Sequence, residues 1–188
     1  MRILLLFMLS SFACLSWGQN LNPIYKQDLN YDDDGKVTFV KVFQADSTSA
    51  KDLYTKAEEW FSDTYNSAND VLQVRDKEAG RLIGKGFYNY VITDMVKFEY
   101  SLEHTIKIEA REGRYRVTIS DLYINGTFNG QDYKEPVEKS IKDESVYKKN
   151  GKPRKMAATH KIKILLWAEK KMKDIEKAMK KTGGDDDW

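Results

Sequence analysis

His104 and Asp121 are the two residues of this sequence whose types and predicted placement could support catalysis. A carboxylate beside an imidazole orients the ring and raises its pKa, which is the arrangement that general acid–base catalysis uses. Both residues lie on strands predicted at residues 96–110 and 114–124, opposite each other on the apolar face. No nucleophile or second base is predicted nearby, so we favour a structural hydrogen bond at the end of the core and expect no enzyme. After Asp121 the apolar side chains change from odd-numbered to even-numbered positions, a pattern that a β-bulge at Asp121 would also produce.

Two further motifs resemble ligand sites but fail on the residues around them. Residues 30–35 place Asn and Asp at ligand positions of a calcium loop and Gly at its turn, but Lys41 stands where a bidentate Glu is needed. Residues 84–86, Gly-Lys-Gly, resemble a phosphate loop without the helix N-terminus that would bind the phosphate. We predict a solvated turn at the first motif, a bulge or a close backbone contact in a bent strand at the second, and neither a metal nor a cofactor.

Residues 96–110, in which apolar and polar side chains alternate, form the predicted strand that would position His104. Apolar or ring-bearing side chains occupy its even positions and polar side chains the positions between them, which predicts a strand with one dry face and one wet face. A tight turn at Glu112-Gly113 leads into the strand at 114–124. Pairing Ile106 with Ile119 aligns the dry faces of the two strands, so we predict that register.

The wet face of this hairpin, called the open face below, is the predicted binding surface. Its charged residues are of mixed sign, without the strong positive charge and stacking aromatics of a nucleic-acid platform, so we expect no nucleic-acid partner. The residues of the open face are Lys97, Glu99, Ser101, Glu103, Thr105, Lys107, Glu109, Arg114, Arg116 and Thr118.

Composition and the N-terminal pattern indicate one folded, exported domain. The 188 residues are 41% hydrophobic and 12% aromatic, which suffices for a packed core. A basic start, a short apolar run and a small-x-small site predict a signal peptide at residues 1–18, cleaved before Gln19. Cleavage removes Cys14, the only cysteine, so we expect no lipid anchor and a periplasmic or extracellular location. No second apolar run follows, so no transmembrane segment is expected.

The remaining segments predict a single α+β domain at residues 37–181. It is preceded by a polar leader at 19–36 and followed by an acidic, mobile tail at 182–188. The domain begins with a strand at 37–43 and a helix capped by Ser49 that buries Trp60 and Ala68. Strands at 71–74 and 82–92, the long hairpin, a linker at 125–154 and a helix at 155–181 follow. This predicts one antiparallel sheet with two helices on one face, in the order β-α-β-β-β-β-α.

Basic residues are concentrated in the C-terminal part of the chain. Residues 134–181 contain 16 Lys and Arg against 7 Asp and Glu. A basic amphipathic helix can lie on an anionic membrane, so weak membrane-surface association through residues 155–181 is an alternative to docking on the sheet. We favour docking, because the dry face of the sheet needs more cover than one helix gives.

Several short motifs stand out between residues 37 and 128. They are KDLY at residues 51–54, Ala57 and Trp60, DKEAG at 76–80, IGKG at 83–86 and GRYR at 113–116. With these motifs the sequence resembles a known family, the secreted Bacteroidetes domain of unknown function with a TBP-like (TATA-binding-protein-like) fold. The resemblance covers about residues 37–128 and implies that fold and an exported location, with no functional residues to carry over.

Three functions remain open. The favoured one is a non-enzymatic binding module that holds a protein or peptide partner on its open face or on a sheet edge. The second is a carrier for a small apolar or amphipathic ligand between the sheet and the helix at 155–181, and the third is an enzyme that relies on His104. The carrier hypothesis rests on aromatic residues that core packing explains equally well, namely Tyr88, Tyr90, Phe98, Tyr100, Tyr115 and Tyr123.

Overall fold

The structure is a computed structural model that describes residues 21–65 and 71–181. The predicted signal peptide at 1–18, Ala68 and the predicted tail at 182–188 lie outside these ranges. The elements are a 3-10 helix at Pro23–Lys26, β1 at Phe39–Gln44, α1 at Ala50–Thr64, β2 at Leu72–Asp76, β3 at Arg81–Thr93, β4 at Lys97–Arg111, β5 at Arg114–Phe128, β6 at Gln131–Pro136, α2 at Val137–Ile141, α3 at Asp143–Val146 and α4 at Lys155–Met179.

The strands within the described residues form one antiparallel sheet. Its order is β1-β5-β4-β3-β2, and β6 pairs with the other half of β5. Even-numbered residues of β4 such as Leu102, Ile106 and Ile108 are fully buried under the helices. Because side chains alternate along a strand, the odd-numbered residues lie on the opposite face. The predicted α+β class and the two-sided character of the sheet are confirmed.

The β4–β5 hairpin has the predicted register in the half next to its turn, and a bulge where the apolar side chains change from odd-numbered to even-numbered positions of β5. Ile106 lies opposite Ile119 as predicted, but the register shifts between Glu103 and Thr105. Asp121 has a φ of 51°, the left-handed conformation that an extra residue in a bulge commonly adopts. The predicted cross-strand pair of His104 and Asp121 therefore does not form, because the bulge separates their side chains.

Helix α1 begins at the predicted cap and packs on the glycines of β3. The Ser49 hydroxyl accepts a hydrogen bond from the Asp52 N–H at 3.0 Å. Phe61 is fully buried, and a Cβ placed on Gly84 would lie 2.5 Å from its ring. The close backbone contact predicted for residues 84–86 is thus a helix–sheet contact that only glycine permits.

Helix α4 covers the same face of the sheet as α1. Its predicted apolar stripe is buried throughout, from Leu165 and Ala168 to Ile175 and Met179. A second stripe, which includes His160 and Trp167, is also buried. The helix is therefore docked as predicted. Within the described residues, no helix is long and apolar enough to cross a membrane.

The segment predicted as a linker, residues 125–154, contains regular structure instead. Asn129 and Gly130 both have positive φ and form the two-residue turn that joins β5 to β6. Strand β6 is polar on both faces, so hydrophobic alternation does not reveal it. Val137 and Ile141 of α2 are fully buried and attach the segment to the core.

Candidate functional site

The open face lies on the side of the sheet away from the helices and contains every residue predicted for it. Glu109 lies opposite Arg116, Lys107 opposite Thr118 and Thr105 opposite Ser120, as the register predicts. Thr105, at the centre of the sheet, is buried, whereas residues toward the strand ends are exposed. Exposed or half-buried positions of this face are Lys97, Glu99, Ser101, Glu103, Lys107, Glu109, Arg114, Arg116 and Thr118.

A groove of about 790 Å³ runs over one half of the open face. Its floor carries the cations of Lys85, Lys107 and Arg116 and the hydroxyls of neighbouring Thr and Ser residues. Tyr31 and Asp32, from the turn that precedes β1, form one wall. The groove therefore offers positive charge below and negative charge at the side, with hydroxyl groups that can donate or accept hydrogen bonds.

The turn at Asp32 has the structure predicted for the calcium-like motif. The Asp32 carboxylate accepts hydrogen bonds from the N–H groups of Asp34 at 3.1 Å and Lys36 at 2.8 Å. Gly35 has a φ of 73°, which closes the turn. This side chain therefore supports its own loop. Among the described residues, no group of three His, Cys, Asp or Glu side chains could hold a metal ion.

Glu109 organises the positive charges at the end of this groove. Its carboxylate receives hydrogen bonds from Arg116, with Nη2 at 2.7 Å, and lies 3.4 Å from the Lys107 ammonium group. Burial alone would raise the pKa of Glu109, but the hydrogen bond from Arg116 and the charge of Lys107 outweigh it and hold the pKa below its usual value. Two cations thus share one anion.

A second groove, of about 810 Å³, lies at the other end of the open face, lined by residues that include Asn89, Glu99 and Asn125. Three residues that line neither groove are neighbours across the central strands. Glu103 lies opposite Phe87 on one side and Tyr123 on the other. The Lys134 ammonium group contacts the Glu103 carboxylate at 2.5 Å and lies 4.8 Å from the centre of the Tyr123 ring.

Large apolar side chains are exposed on the strands that flank the open face. Val40 and Val42 of β1 are 53% and 52% exposed, and Phe87 of β3 is 65% exposed. Val40 and Val42 were not among the predicted residues of the open face, because the pairing of β1 with β5 was not predicted. The alternation of polar and apolar residues within β1 was the available signal, but it does not identify the neighbouring strand.

His104 lies in the interior, away from the open face. It is 1% exposed, whereas the Asp121 side chain is 47% exposed and lies 4.0 Å from Lys36. Nε2 of His104 is 3.1 Å from the Tyr65 hydroxyl, and Nδ1 is 3.2 Å from the Leu102 carbonyl oxygen. A carbonyl can only accept, so Nδ1 carries the proton and Nε2 accepts from Tyr65.

The environment of His104 keeps its ring neutral. Burial lowers the pKa of His104 to about 4, although the hydrogen bond to Leu102 acts in the opposite direction. Trp167 packs against the imidazole, with ring centres 4.5 Å apart. A neutral, enclosed imidazole whose two nitrogens are both hydrogen-bonded is suited to a structural role.

His160 of α4, which was not predicted as a site residue, forms a second buried histidine–tyrosine pair. Its Nδ1 lies 2.7 Å from the Tyr90 hydroxyl, and its ring packs edge-on against Tyr100 at 4.5 Å. Burial lowers the pKa of His160 to about 4. Its spacing from Ile164 and Trp167 along the helix was the available signal, since it places all three residues on one face.

Comparison with known protein families gives a match over the central part of this chain. Residues 39–125 match the family described as "Domain of unknown function (DUF4468) with TBP-like fold". No curated protein matches the sequence. The predicted resemblance to a domain of unknown function with a TBP-like fold is therefore confirmed.

Two solved structures have a similar fold. A DUF4468 family protein from Bacteroides ovatus ATCC 8483 is 20% identical and has a TM-score of 0.68, with 82% of this chain and 91% of that chain covered. A TBP-like protein from Parabacteroides distasonis ATCC 8503 is 15% identical and has a TM-score of 0.66, with 81% of this chain and 97% of that chain covered. At these identities the similarity establishes the fold alone.

Proposed function

Since residues 39–125 match a family of unknown function, DUF4468, whose description gives a fold and no activity, we propose that this protein is a non-enzymatic binding module. Its ligand is an extended peptide segment of a partner protein, held on the open face. The observation that carries the proposal is the groove over Lys85, Lys107 and Arg116, bounded by the turn at Asp32.

The chemistry of this groove favours a peptide that has charged side chains of both signs. Carboxylates of the peptide would meet the cations of the floor, where Glu109 is shared between Lys107 and Arg116. Basic side chains would meet Asp32 and Asp33 at the wall. Exposed Val40 supplies an apolar contact beside these charges. Such mixed complementarity provides specificity and orientation more than affinity.

The segment at residues 125–154 leaves this groove accessible. Its buried residues Val137 and Ile141 pack into the core, and Val146 packs beneath α4 with Tyr25. In the described part of the chain, the groove is bounded by β1, the central strands and the turn at Asp32. This placement supports the open face as a docking surface.

The two other functions have less support from the geometry. The region between sheet and α4 that a carried ligand would need is occupied by the packed rings of Tyr90, Tyr100, His160 and Trp167. His104, on which an enzyme would rely, is enclosed and hydrogen-bonded through both ring nitrogens. We place the module in the periplasm or outside the cell, without a lipid anchor, on the strength of the signal peptide pattern at residues 1–18.

A peptide-display selection against the purified protein tests the proposal. Selected peptides are measured by calorimetry with the wild type and with Thr118→Trp, which fills the floor of the groove. Thr55→Trp, on the exposed surface of α1, is the matched control. We expect binding to be lost in Thr118→Trp and kept in Thr55→Trp. Equal binding by the wild type and Thr118→Trp would exclude the groove as the site.

A further inference from the structure

The outer edge of β3 is paired over less than half of its length. Strand β3 pairs with β4 continuously from Arg81 to Thr93, without a register shift. On its other side, β2 pairs only with residues from Arg81 to Gly84. Among the described residues, no other strand pairs with residues 85–93 on that side. These residues therefore present a regular strand edge whose backbone groups can pair with another strand.

Residues 85–93 lack the features that discourage strand pairing at the edge strand β6. β6 carries Asp132, Lys134, Glu135 and Pro136, which are the charged residues and proline that discourage strand addition. Residues 85–93 contain one charge, Lys85, and no proline or bulge. Phe87 in their middle is 65% exposed. The contrast indicates an edge that is kept available for pairing.

We propose that β3 pairs with β3 of a second copy of this chain, antiparallel about a two-fold axis at Asn89. This register pairs all of residues 85–93, because Thr93 of the partner subunit then lies opposite Lys85, where β2 ends. A shift toward β2 would force the partner strand into β2, and a shift the other way would leave part of the edge unpaired.

Side-chain complementarity supports the second copy as the occupant. In this register, Phe87 lies opposite Val91 of the partner subunit, an aromatic and β-branched pair that stabilises antiparallel strands. Tyr88 lies opposite Tyr90 of the partner subunit on the dry face. Lys85 faces a threonine, so no like charges oppose each other anywhere along the edge. The two open faces then form one continuous surface.

Asn89 gives the test, because the two-fold axis places this exposed residue opposite its own copy. We expect sedimentation equilibrium to show a concentration-dependent dimer of the wild type. Asn89→Lys and Asn89→Glu each place like charges together and are expected to raise the dimer dissociation constant about fivefold. An equimolar mixture of the two variants pairs opposite charges and is expected to restore or exceed wild-type association.

Gln131→Lys and Gln131→Glu are the matched controls, since they change an exposed amide on the β6 edge in the same way. We expect wild-type association from both. In protein that lacks Cys14, Asn89→Cys is also expected to form an intermolecular disulfide under oxidising conditions. A wild type that is monomeric at every concentration would overturn the proposal. Unchanged association in both Asn89 variants, or equal weakening in the Gln131 variants, would overturn it as well.

Discussion

The Tyr65 hydroxyl donates a hydrogen bond of 3.1 Å to Nε2 of His104 and so joins the end of α1 to the centre of β4. Nδ1 of the same ring donates to the Leu102 carbonyl at 3.2 Å. The contact exists because Gly86, directly opposite His104 on β3, has no side chain. The neutral imidazole of His104 therefore links the end of α1 to the sheet through its hydrogen bonds.

Replacing Tyr65 with Phe should destabilise the fold while leaving its packing intact. The substitution removes the donor and leaves Nε2 of His104 buried without a partner, which costs about 1–2 kcal/mol of unfolding free energy. Urea denaturation measures the change. Tyr31→Phe, whose ring is 45% exposed, is the matched control and should change stability little. Equal stability of Tyr65→Phe and the wild type would contradict the proposed hydrogen bond.

Gly86→Ala should destabilise the same contact for a steric reason. A Cβ at this position would lie 2.6 Å from the Tyr65 ring and 3.0 Å from Nε2 of His104. Overpacking of this kind costs about 1–3 kcal/mol. Gln131→Ala, at an exposed position of β6, should be nearly neutral in the same urea titration. If both variants matched the wild type, the close contact at Gly86 would be disproved.

Stability should fall as the pH is lowered from about 6.5 toward 4. Burial lowers the pKa of both His104 and His160 to about 4, from an ordinary value of 6.5. The unfolded chain therefore binds protons in this interval that the folded chain does not, and each histidine removes up to about 3 kcal/mol of unfolding free energy. Below pH 4 both states are protonated and this loss stops.

Urea titrations between pH 6.5 and 5 report mainly on the histidines, because this interval lies above the ordinary pKa of carboxyl groups. The Glu109 carboxyl, whose pKa lies below its usual 4.5, also stays ionised there. His160→Gln keeps an acceptor for Tyr90 and removes the titrating group. We expect its stability to change with pH about half as steeply as that of the wild type. A pH-independent wild type in this range would show that the histidines are not buried as described.

Glu109→Gln should have a small effect on stability and a larger effect on the charge of the open face. Arg116 and Lys107, the two partners of Glu109, are 48% and 33% exposed in their side chains, so solvent screens both ion pairs. We expect a loss below about 1 kcal/mol that shrinks with added salt. A loss of several kcal/mol that is insensitive to salt would indicate instead that the cluster is shielded from solvent.

Local sequence patterns determined most of the individual elements. The alternation at residues 96–110 established a strand with one buried face, since that pattern has a single period and a single way to bury its apolar side. Ser49 identified the start of α1, and the spacing of Leu165 and Ala168 identified the buried face of α4. In each case the residues that decide the structure are close together in the chain.

Tertiary structure decided what depends on residues far apart in the chain. The bulge at Asp121 separated His104 from the predicted partner, and Tyr65, distant in sequence, took that place. Strand β6 forms because its backbone pairs with β5, which hydrophobic alternation cannot reveal. The pairing of β1 with β5 added Val40 to the open face, and among the described residues β2 pairs with β3 only as far as Gly84. Strand order and edge pairing are set by the packing of the whole chain, so residue types at neighbouring positions do not encode them.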